Sequence, residues 1–253
     1  MSTGRYLDAI LPRLERLREQ GPRIEAAAEA CAEAIAAGGV VHVFGAGHSR
    51  MMAEEAYPRI GAVGGFRPVV ELAITYFHQV VGPNGLRQTL FLERVPGYGR
   101  LIFEELGARP GDVALVFSSS GVEPIIIDFV EAARASGCAV IGVTSFEYSA
   151  RTSAERGGAA RLADIADVAI DNGVPIGDAL VEVAGVDERV APSASILNLA
   201  VMDEIAVATA ESLVRRGSPP IVFASPHLAG AEASQARMDA SLADFRRRVW
   251  GER

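Results

Sequence analysis

Near the start of the chain, apolar residues recur at three- and four-residue intervals (Leu7, Ile10, Leu11, Leu14, Leu17), the spacing of one face of an amphipathic helix. The stretch "IEAAAEACAEAIAA" has high helix propensity. Residues 5–37 are therefore predicted helical, divided at Gly21-Pro22 and closed by Gly38-Gly39. From residue 40 the pattern changes to short runs rich in valine and isoleucine, at 40–44, 67–72, 113–117, 139–143 and 167–170. They are too short for helices, and helix-like stretches at 49–60, 98–107, 122–136 and 149–164 separate most of them. Continuous apolar strands alternating with helices predict a parallel sheet covered on both faces. A turn-rich segment follows, with one short strand at 180–183 and then a long helix over roughly 193–216, capped by Ser193 or Ser195. The tail carries "PPIVFAS" and a helical, charged end. The economical organisation is one α/β domain over 1–253, with N-terminal helices (1–37), a core (38–216) and a C-terminal extension (217–253).

The composition, 49% hydrophobic and 22% charged over 253 residues, suits a soluble protein with a sizeable core. A net charge of -8 argues against a nucleic-acid surface. It leaves room for an anionic small molecule, because backbone N–H groups hold phosphate without a basic protein around them. The chain has no lysine, which removes Walker-A, pyridoxal-phosphate and lysine-aldolase chemistry. Cys31 and Cys138 fit no metal or redox spacing and read as small buried hydrophobes. The N-terminus has no signal-peptide pattern and no stretch approaches a membrane span, so a cytoplasmic protein is expected.

In a parallel sheet, ligands sit beyond the carboxyl ends of the strands. Two such ends are chemically distinctive here. "VHVFGAGHSR" ends a strand in Gly45-Ala46-Gly47, followed by His48 and Ser49. A dinucleotide fingerprint would place a third glycine where Arg50 stands, although Glu71 is at the distance of its acidic residue. "VFSSSGVEP" runs a strand into Ser118-Ser119-Ser120-Gly121 at a helix start. One serine suffices as a cap; three offer hydroxyls and free N–H groups, which suits a phosphate better than a pyrophosphate.

Together, "AGGVVHVFGAGHS" and "PGDVALVFSSSGVEPIIIDFVEAARASGCAVIGVTS" resemble the sugar isomerase (SIS) domain over roughly residues 30–215. The resemblance implies a three-layer αβα sandwich with a five-stranded parallel sheet, dimeric or of higher order, with sites near the subunit interface. It places a phosphosugar on Ser49, Ser118, Ser119 and Ser120, with Gly45, Gly47 and Gly121 shaping the loops and His48 within sugar contact. "RMMAEEAYPRIG" resembles the glutamate segment of the phosphoheptose isomerases and the N-acetylmuramic acid 6-phosphate etherases; Glu55 matches the catalytic residue, and Glu54 is the fallback. Glu93 falls on an acidic residue of the etherases' second acidic segment. Two departures stand out: Val122-Glu123 replaces the Asn-Ser that often follows the second glycine, and the late helix lacks the histidine of the heptose isomerases. His42 reads as a satisfied core residue, and His78 as a possible lining of the site mouth. No metal or other cofactor is expected.

In an open-chain aldose 6-phosphate the C2 hydrogen, beside the C1 aldehyde, is acidic enough for a partly buried glutamate to remove. Returning the proton to C1 is isomerisation; expelling the C3 substituent with help from a second acid is elimination. The etherase-like features favour elimination, with N-acetylglucosamine 6-phosphate as the concrete substrate. An aldose–ketose isomerase and a non-catalytic phosphosugar sensor are the alternatives.

Overall fold

The computed structural model describes residues 3–75, 85–155 and 159–251, so His78 lies outside the described residues. At the N-terminus, α1 (Arg5–Arg16) runs through a 3-10 turn into α2 (Gly21–Ala36). Next come β1 (Val41–Gly45), α3 (Met51–Ala56), β2 (Phe66–Val69), α4 (Gly85–Leu92) and α5 (Tyr98–Glu104). Then follow β3 (Val113–Phe117), α6 (Pro124–Ala135), β4 (Ala139–Thr144), α7 (Phe146–Glu155), α8 (Leu162–Ile165) and β5 (Val168–Asp171). Beyond β5 lie a small hairpin of β6 (Ala179–Val181) and β7 (Val190–Pro192), then α9 (Ala194–Arg215), α10 (Pro226–Ala229) and α11 (Ala231–Trp250).

The five main strands form one parallel sheet in the order β2-β1-β3-β4-β5. Their side chains alternate between two cores, as the two-residue repeat of a strand requires. Val41, Val43, Val113, Leu115, Phe117, Ile141 and Val143 join one cluster with residues of α2, α3 and α9. Phe44, Ala114, Val116 and Val140 join the other, with α5, α6 and α8, where the rings of Phe44 and Phe129 stack 4.1 Å apart. The result is the three-layer αβα sandwich that unbroken apolar strands require.

Some expected elements change length for identifiable reasons. The helix expected over 49–60 is a 3-10 turn at Gly47–Arg50 followed by α3, which stops at Ala56. Pro58 excludes helical backbone at the residue before it, and Tyr57 is extended. The stretch 149–164 divides into α7 and α8. The strand expected at 180–183 exists as β6, with an antiparallel partner, β7, that its pattern does not announce. Ser193 stands at the N-cap of α9 but does not cap it; its hydroxyl donates to Asp178, whose Oδ1 accepts the Ser193 and Ala194 N–H groups at 2.8 and 2.7 Å. The C-terminal helix folds back on the core, where Phe245 stacks on Tyr57 and Arg248 donates to the carbonyls of Ile35 and Gly39.

At the sheet's amino end Asp112, 3% exposed, accepts hydrogen bonds from the N–H groups of Val40 and Arg109 at 2.9 Å each and from His42 Nε2 at 3.3 Å. Burial pushes this carboxyl up, but the bonds from His42, Arg109 and Val40 outweigh it and hold it below its ordinary value. A lowered carboxyl stabilises the fold above its unfolded value, about 3.9, and loses that contribution as pH falls through the folded one. Asp112→Ala is expected to cost about 3 kcal/mol at pH 7, because three donors lose their acceptor. Urea melts at pH 7 and pH 3 check this: the gap between variant and wild type should be wide at pH 7 and narrow at pH 3.

Candidate active site at the sheet reversal

After β1 the chain crosses to β2 on one side, then returns to place β3 on the other. A crevice opens at such a reversal, because the connections leaving the two central strands diverge to opposite faces of the sheet. Here α3 packs on one face and α6 on the other. Gly45 is in register with Phe117, so the loops 46–49 and 118–121 leave the sheet side by side.

The first loop is held tightly. Gly47 takes a left-handed φ of 55°. Arg50 is 7% exposed and turns back to donate to the Gly47 carbonyl at 3.1 Å. The side chain at the position of the missing third glycine therefore braces the loop. Met51 Sδ accepts from the Ser195 hydroxyl at 3.7 Å, which ties this loop to the start of α9. In the second loop, Ser118 Oγ accepts from the Gly121 N–H at 3.0 Å, and the Ser119 carbonyl accepts from Thr144 Oγ1 and the Ser145 N–H at 3.2 Å each. Gly121 has a φ of 62°, and a Cβ there would stand 2.6 Å from Thr144 Oγ1.

Between the loops lies a cavity of about 440 Å³. His48, Ser49, Ser118, Ser119, Ser120 and Glu93 all line it. Gly45, Gly47 and Gly121 shape its loops without lining it. Glu123, Tyr148, Asp178, Pro192 and Ser195 also line it. The sequence pattern marks none of these five as a site residue. Glu123 was visible only as a departure from the resemblance, and Asp178 and Ser195 arrive through tertiary structure beyond β5.

Glu55 is placed elsewhere. It lines a separate cavity of about 240 Å³ with Arg59 and Asp203, and its carboxylate accepts from the Arg59 guanidinium. Glu54 is half exposed, 3.6 Å from Arg50 Nε. Within one chain, the sequence-derived carboxylate that meets the serines is Glu93. Burial, and then the neighbouring Glu123 carboxylate, push Glu93 up to about 7, with Arg94 opposing. Among the described residues, no group of three His, Cys, Asp or Glu side chains is arranged to hold a metal ion. No described helix is long and apolar enough to cross a membrane. The thiols of Cys31 and Cys138 are buried, and burial pushes them up to about 12 and about 11.

Fold and cavity together define a doubly wound α/β protein with a crevice lined by serines and carboxylates at its sheet reversal. A family model described as the SIS domain matches residues 5–145, and the chain belongs to that family. It is 33% identical over 236 residues to a UPF0309 protein of Listeria monocytogenes, covering 92% of this chain and 93% of that protein. It is 35% identical over 224 residues to a UPF0309 protein of Brucella canis, covering 88% and 89% respectively. Among solved structures, one titled a phosphoheptose isomerase from Francisella tularensis shares the fold, with a TM-score of 0.50 at 18% identity over 83% of this chain and all of that one.

Proposed function

We propose that the protein is a phosphosugar enzyme whose specific activity is elimination of water, or another C3 substituent, from an N-acetylhexosamine 6-phosphate such as N-acetylglucosamine 6-phosphate. The observation that carries this is the meeting, in one cavity, of Ser118, Ser119 and Ser120 with Glu93, whose carboxyl is poised near neutrality. The phosphate sits against the hydroxyls of Ser118, Ser119 and Ser120, before the amino end of α6, where the helix dipole favours negative charge. Ser49 and His48 face the same ligand from the other loop. A glutamate tuned to about 7 carries a proton for part of its time at neutral pH and serves as an acid or a base. The proposal includes assembly as a homodimer or larger homo-oligomer, a cytoplasmic location, and no cofactor.

Aldose–ketose isomerisation is the second reading. It is favoured by the likeness in fold to the Francisella phosphoheptose isomerase, and it uses the same C2 proton. The deciding experiment incubates the protein with sugar and aminosugar 6-phosphates in deuterated water. Loss of water with a new ultraviolet chromophore is the expected outcome. Deuterium incorporation with the ketose as product would establish isomerisation instead. Tight binding with neither change would sink both and leave a sensor module.

A further inference from the structure

We infer that Glu123 is the second catalytic carboxylate of this cavity: it takes the sugar proton as base while Glu93 gives a proton to the departing oxygen as acid. The inference rests on the phosphosugar reading above and assigns the partner that Glu93 needs. Glu123 stands at the N-cap of α6, two residues after Gly121, and lines the cavity together with Glu93 and the three serines.

The main chain holds the two carboxylates together. The Ile125 N–H donates to the Glu93 carbonyl at 3.1 Å, so the residue bearing one acid is tied to the first turn beyond the other. A few residues on, Asp128 accepts from the Gly97 N–H, and Gly99 lies so close that a Cβ would stand 1.9 Å from the Ile125 carbonyl oxygen. Segment 93–99 is thereby fastened along the amino-terminal half of α6. Two further carboxylates are placed differently. Asp178 lines the cavity but caps α9, and Glu55 faces a different cavity with Arg59.

Two neighbouring carboxylates ionise together only at a cost, and that repulsion adds to burial in raising Glu93. Burial and the Glu123 carboxylate both push Glu93 up, which makes it the proton carrier. The groups facing the pair are Arg94 beside Glu93, His48 from the first loop, Tyr148 from α7 and Asp178 from the hairpin. The step balances without a co-reactant. Glu123 removes the C2 proton, and the C–H electron pair becomes the enolate across C1 and C2. The enolate then forms the C2–C3 double bond as the C3–O bond breaks, and Glu93 protonates the leaving oxygen to give water. Glu123 ends protonated and Glu93 ionised; transfer of that proton between them resets the pair.

The test compares Glu123→Gln, Glu123→Asp and Glu93→Gln on the phosphosugar that the wild type turns over, following C2 deuterium exchange, product formation and ligand binding. Glu123→Gln should lose both exchange and turnover by ~10²–10⁴-fold while still binding the sugar phosphate. Glu93→Gln should keep C2 exchange and lose product. Glu123→Asp should retain part of the exchange, and it decides the matter by the same ratio if the glutamine variant fails to fold. Wild-type turnover in Glu123→Gln overturns the inference. So does tighter phosphosugar binding with unchanged kcat, which would mean that Glu123 merely repels phosphate. A wild-type protein that neither exchanges nor converts any phosphosugar overturns the underlying functional proposal, and this assignment with it.

Discussion

Glu93→Gln is expected to lower turnover by ~10²–10⁴-fold, the usual worth of one acid–base group, and to leave phosphosugar binding in place. Ser118, Ser119 and Ser120, the proposed phosphate contacts, belong to a different segment, and the hydrogen bonds at Ser118 and Ser119 do not involve Glu93. The same substitution should stabilise the protein at alkaline pH. Glu93 is raised from its ordinary value to about 7. A raised carboxyl therefore contributes its stability below the unfolded value, about 4.3, and loses it as pH rises through about 7. Glutamine carries no such charge, so the variant's melting temperature should exceed that of the wild type above pH 7 and converge with it below pH 5. A gain in stability joined to a loss of activity is the signature of a group strained for chemistry. In the wild type, kcat/KM should decline as pH rises through about 7, because the acid loses its proton. Full activity in Glu93→Gln, or an unchanged melting curve at pH 8, would remove Glu93 from the mechanism.

Gly45→Ala is expected to weaken phosphosugar binding on the order of 10²-fold, as a displacement of about 1 Å in a positioned group does. A Cβ on Gly45 would stand 2.4 Å from the Ser49 carbonyl oxygen and 2.6 Å from its carbon. Both atoms are backbone, so no side chain can rotate away, and the loop carrying His48 and Ser49 has to move. The stability cost of such overpacking is about 1–3 kcal/mol, small enough to leave a folded protein for titration. Gly21→Ala is the matched control. Nothing lies within 4 Å of its added Cβ and its φ is helical, so binding should be unchanged. Wild-type affinity in Gly45→Ala, measured by calorimetry, would show that the ligand does not use the first loop.

Much of the architecture could be read from period and composition. All five parallel strands fall within three residues of the apolar runs that announce them, because a strand buried on both faces has to be apolar at nearly every position. The pairing of the two loops was legible for the same reason, since strand-to-helix junctions locate the carboxyl edge of the sheet. What escaped depends on contacts distant in sequence. Nothing local marks β7, which exists as the partner of β6, or α4, whose Leu86, Leu90 and Phe91 remain exposed and so form no core-facing stripe. Asp178 reads as a turn residue until it meets the start of α9, fifteen residues on. Glu55 carries its catalytic expectation by resemblance alone, and within one chain α3 places it beside Arg59 and Asp203, in a cavity separate from the serines. Glu123 stands out in the sequence only as a departure from the Asn-Ser of the resemblance, because a resemblance assigns roles by position and is silent about a residue it does not contain.

The hydrogen bond from the Ile125 N–H to the Glu93 carbonyl has a consequence for how this protein tolerates change. It joins peptide groups, and every residue except proline supplies the same donor and acceptor. The separation of the two glutamates is thus written in the main chain, and the exposed side chains of α4 take no part in setting it. Variation across Leu86, Leu90 and Phe91 should alter solubility and association long before it disturbs the spacing of the two glutamates, giving the proposed catalytic pair a sequence-neutral hinterland in which related chains can drift.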